Sequence, residues 1–101
     1  MRLPEGWSSL TGESSRRLNE ELHREVCAGH VLHGRQARAV ARRADQDDVL
    51  FEVQGSAAPF YVVHLTWNRE TSPQWPGSAP YESLEDFFER WPRDEFDDED
   101  R

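Results

Sequence analysis

The chain of 101 residues has no lysine and a single cysteine, Cys27. A lone cysteine excludes an internal disulfide framework, which agrees with a reducing compartment and leaves the fold to rest on its apolar core. No stretch approaches the roughly 18 consecutive apolar residues of a membrane-spanning helix. The opening MRLPEGWSSL also lacks the apolar run of a signal peptide, so the expected location is cytoplasmic. There is no G-x-S-x-G, no glycine-rich phosphate loop, no H-E-x-x-H and no D-x-D-x-D-G calcium loop. The sequence therefore predicts neither an enzyme nor a bound cofactor. No internal repeat is visible, and the length fits one domain with one modest core.

Charge is plentiful but one-sided: 20 acidic residues stand against 12 arginines, for a net charge of -8. Duplex DNA and anionic membranes are polyanions that need a net basic face, so neither is an expected partner. The distribution is uneven. Residues 13–44 hold seven arginines against four acids, whereas 45–101 hold four against fifteen.

Hydrophobic periodicity predicts the elements. Leu18, Leu22 and Val26 recur every fourth residue, in phase with Leu10 and Ser14, and charged residues fill the opposite side. This predicts an amphipathic helix from near Thr11 to Ala28-Gly29, where glycine supplies the left-handed residue that closes helices. Three strand-like runs follow at 37–43, 49–54 and 60–67, separated by short polar or small-residue turns, which is the pattern of an antiparallel meander. Pro73, Pro76, Pro80 and Gly77 then forbid helix and central strand and predict a surface loop pinned by Trp75. Ser83 is placed to cap a second helix carrying Leu84, Phe87, Phe88 and Trp91 on one stripe, with Pro92 as its stop. The run 93–101 holds six acids and one aromatic, a composition that predicts a disordered tail.

The expected fold is thus α+β over residues 1–92, a three-stranded sheet with both helices on one face. The expected core is Leu18, Leu22, Val26, Val40, Val49, Phe51, Val53, Tyr61, Val63, Leu65, Leu84, Phe87 and Phe88. Period-two alternation turns Leu50 and His64 away from it.

The segments VLFEV (49–53), YVVHLTW (61–67), Trp75-Pro76 and SLEDF (83–87) resemble those of small uncharacterised bacterial proteins of similar length. The likeness spans residues 5–91 and implies a stand-alone bacterial domain. It implies no activity and no catalytic residue.

Four groups of side chains have chemical potential. His23, Cys27, His30 and His33 are zinc-ligand types within eleven residues. Their spacing matches no established finger, and Cys27 reads as a small buried hydrophobe beside solvated histidines, so no metal is assigned. His64 has Glu52 as a cross-strand candidate for acid–base work. Arg35, Arg38, Arg42 and Arg43 form a basic cluster, in which Arg38 and Arg42 on one strand face have the forks to grip an anion. Their ordinary role is to neutralise Glu52, Asp47 or Asp48 across the sheet. Finally Trp67, Trp75 and Trp7 gather where the third strand meets the proline loop, as loop anchors or as a binding face.

Two functions fit. The first is a protein-binding module of the immunity-protein or antitoxin kind, sequestering a basic partner through Trp67, Trp75, Glu82, Glu85, Asp86 and Glu89. The second is a small enzyme or anion-ligand-binding domain using His64 and Glu52 with the Arg38/Arg42 strand.

Overall fold

The computed structural model describes residues 3–43, 47–56 and 58–94, the last three by their backbone alone. The elements are β1 (Trp7–Ser9), α1 (Gly12–Glu25), β2 (Ala37–Arg43), β3 (Asp48–Val53), β4 (Phe60–His64), β5 (Gly77–Tyr81) and α2 (Leu84–Asp94). All five strands form one antiparallel sheet in chain order. The fold is α+β, as expected, with two more strands than the sequence predicts. Both extra strands are edges. β1 is only three residues long, and β5 contains Pro80, which an edge strand tolerates because one side of it has no ladder partner.

The helices lie on opposite faces of the sheet, not on one. Strand alternation sends Val49, Phe51, Val53, Tyr61 and Val63 into a core with Leu18, Leu22 and Val26 of α1. The intervening Leu50 and Val62 enter a second core with Trp7, Tyr81, Phe87 and Trp91 beneath α2. Leu50 is therefore fully buried, because the face it turns to has its own helix. Phe87 is the centre of that second layer, with ring centroids 5.1 Å from Trp7, 5.4 Å from Tyr81 and 5.9 Å from Trp91. Val40, Leu84 and Phe88, expected in the core, are only half-buried and pack against its edge.

A β-bulge decides where the arginines point. Ala39 pairs with Phe51 and Ala41 with Leu50, so Val40 is an extra residue on β2 and every later side chain changes face. Two α1 side chains satisfy the backbone at this irregularity. Ser15 donates to the Ala39 carbonyl at 2.6 Å, and the Asn19 side-chain oxygen accepts from the Ala39 N–H at 2.6 Å.

Helix ends also differ from expectation. α1 stops at Glu25, because Val26 turns extended and inserts into the core. α2 continues past Pro92 to Asp94, although a proline there removes one intrahelical bond. Arg93 and Asp94 thus belong to a helix, and the rest of the expected tail, 95–101, lies outside the described residues. No helix among the described residues is long and apolar enough to cross a membrane.

Candidate functional site

The segment joining β4 to β5, residues 65–76, is held from beneath by two buried polar side chains. The first is Glu25, in the last turn of α1 and fully buried. One carboxyl oxygen accepts from the Thr66 N–H at 2.9 Å and the other from the Trp67 N–H at 2.7 Å. The Thr66 hydroxyl adds a third bond at 3.2 Å, and the Glu70 N–H reaches the Glu25 carbonyl at 3.2 Å. Trp67 itself has a φ of 61°, a left-handed conformation uncommon for a residue with a side chain.

Burial raises the Glu25 carboxyl to about 7, and the neighbouring Glu21 side chain adds to the rise. The N–H groups of Thr66 and Trp67 pull the other way. Glu21 is gripped by the Arg24 guanidinium at 2.9–3.1 Å.

The second support is His30, on the connector after α1. The sequence suggests a solvated connector residue, but His30 is buried. Its Nδ1 accepts from the Leu32 N–H at 3.0 Å, so the ring proton is on Nε2, which donates to the Pro76 carbonyl at 2.9 Å. Alongside it, Gly29 lies so close to Pro73 that an added Cβ would stand 3.2 Å from the proline ring, and its φ of +98° favours glycine in any case. The Trp75-Pro76 peptide is cis.

What these supports present is aromatic. Trp67 is 46% exposed and Trp75 48% exposed, and Val31 beside His30 is 49% exposed, in a molecule whose other two tryptophans are buried. Single exposed apolar side chains are ordinary. Large aromatics standing out from a loop that is fixed by buried polar groups make a pre-organised surface.

The acids expected to join them do not. Glu82, just before α2, and Glu85 and Glu89 on it are exposed, and α2 covers the opposite sheet face from α1. Asp86 is occupied at the helix start, accepting from the Glu82 N–H at 2.9 Å and lying 3.4 Å from Arg90, while its own N–H donates to Ser83 Oγ at 3.0 Å. Ser83 is the cap the sequence predicts.

The alternative anion site is dispersed as well. Arg38 lies 2.6 Å from Glu52, and the bulge at Val40 sends Arg42 to the other face, so the two do not share one. His64 stands opposite Asp48, not Glu52, and its Nδ1 is 2.6 Å from Asp48 Oδ1. Asp48 is fully buried, with Arg43 at 3.7 Å. Burial raises its carboxyl above the ordinary value, against the pull of His64 and Arg43. Counting outward from the Gly55–Pro59 turn, where Glu52 meets Phe60, would have found this pair, since each step outward advances both strands by one.

Among the described residues no group of three or more His, Cys, Asp or Glu side chains is arranged to hold a metal. His30 uses both ring nitrogens elsewhere, and His23 Nε2 lies 3.3 Å from the Arg35 carbonyl. Comparison with protein-family models, curated proteins and solved structures gave no match.

Proposed function

We propose that this chain is a binding protein that engages a positively charged protein surface through the β4–β5 loop, without turnover, in the manner of an immunity protein or antitoxin. The observation that carries the reading is the loop itself: two half-exposed tryptophans on a segment fixed by the buried Glu25 and His30. Burying polar side chains to immobilise an exposed aromatic does little for the core. It reduces the ordering cost of binding and gives slow dissociation.

The acid excess supplies the partner's sign. With a net charge of -8, the molecule attracts a basic surface at long range, and Glu82, Glu85 and Glu89 add to that field from the far side without belonging to the contact.

The test is affinity capture from the source lysate at low salt, with the wild type and a Trp67→Ala/Trp75→Ala variant as baits. The reading expects a basic protein retained by the first and lost by the second. Equal retention by both baits, or capture of nothing basic, would exclude it.

A further inference from the structure

Five arginines among the described residues are neutralised. Arg16, Arg24, Arg38, Arg43 and Arg90 each lie within 4.0 Å of a carboxylate, at Glu13, Glu21, Glu52, Asp48 and Asp86. Arg17 and Arg42 are different: like Arg69, neither forms an ion pair or a side-chain hydrogen bond among the described residues, in a chain with 20 acids to offer. Both line the same cleft, of about 310 Å³, together with Leu10, Ser14, Leu18 and Trp67.

The cleft is built from rigid parts. Leu18 belongs to the core under α1 and Leu10 packs against it, giving an apolar floor. Arg42 reaches this face only because of the bulge at Val40, which Ser15 and Asn19 hold in place. The backbone of Trp67 is tied to Glu25, and its half-exposed indole lines the cleft.

Arg42 is half-buried, and its guanidinium has no counter-ion among the described residues, which leaves its fork open to an anion. Guanidinium forks bind carboxylate and phosphate oxygens in pairs, and an indole face takes a planar ring. The volume is at the lower end of small-molecule sites. We infer that this cleft binds a small aromatic anion, a planar ring bearing a carboxylate or phosphate, with its charged head between Arg17 and Arg42 and its ring on Trp67. The site shares Trp67 with the surface proposed above, but its ligand is a separate one and its test needs no protein partner.

The test is an NMR titration of the isotope-labelled full chain with adenosine monophosphate, with indoleacetate and with uncharged adenosine, following the indole N–H of Trp67. Saturable shifts are expected with at least one anion. Arg17→Gln and Arg42→Gln should each weaken binding about tenfold, with the remaining amide spectrum showing the fold retained. Adenosine should bind at least tenfold more weakly than its monophosphate if phosphate is the head group. The inference is overturned if neither anion gives a saturable shift at millimolar concentration. It is equally overturned if both variants bind like the wild type, or if adenosine matches the better anion.

Discussion

Burial, with Glu21 alongside, gives the titration of Glu25 a definite sign. Its folded-state value of about 7 is above the ordinary 4.5, so the folded protein keeps a proton that the unfolded chain releases. The resulting stabilisation is complete below about pH 4.5 and is lost as pH rises through 7. In Glu25→Gln an amide nitrogen replaces one acceptor oxygen, so the variant should melt below the wild type at pH 5. Because it cannot titrate, the gap should narrow by on the order of 1 to 3 kcal/mol by pH 8. Thermal melts of both proteins at the two pH values check this, and a gap that widens with pH would mean that Glu25 is ionised in the folded state. Neither Glu25 nor His30 was legible as a support. Each looks in sequence like a polar residue on a solvated stretch, and its value comes from a loop roughly forty residues away in the chain. Trp67 and Trp75 stand out in the sequence as loop anchors or a binding face, and the structure leaves both half-exposed.

At the scale of elements, the helix-and-meander order follows from periodicity, whereas the two-faced sheet does not. VLF and YVV are unbroken apolar runs, and such runs mark a strand buried on both sides. Alternation alone, applied to Leu50, assumes one solvated face. A direct consequence separates the two arrangements: Val62→Ala and Val63→Ala, on opposite faces and both fully buried, should each lose about 1 to 3 kcal/mol in chemical denaturation. A sheet covered on one side would lose that amount only at Val63. The bulge was also beyond reach, since Ala37–Arg43 alternates regularly in sequence and only the pairing with β3 reveals the extra residue. Its dependence on α1 predicts that Asn19→Ala costs about 1 to 2 kcal/mol, by leaving the Ala39 N–H without its acceptor. The same variant should disturb the amide signal of Arg42 more than that of Arg38. Equal shifts at both would separate the bulge from Asn19.

For the molecule as a whole, net charge and aromatic display divide the work of binding between rate and lifetime. The association rate with a basic partner should fall several-fold as salt rises, since screening confines the field to about 8 Å at physiological ionic strength. Glu82→Gln with Glu85→Gln and Glu89→Gln should slow association and leave dissociation nearly unchanged. Trp75→Ala should do the reverse, and surface-plasmon kinetics distinguish the two patterns. The claim underneath all of this is that residues 66–75 form a fixed display and not a loose connector. Amide hydrogen exchange measures it directly at Thr66 and Trp67, whose N–H groups are bound to the buried Glu25 carboxyl. The account predicts protection of about a thousandfold or more at both amides, lost in Glu25→Ala while the strand amides of β3 stay protected. Exchange at the rate of an unstructured chain at Thr66 and Trp67 in the wild type would contradict it.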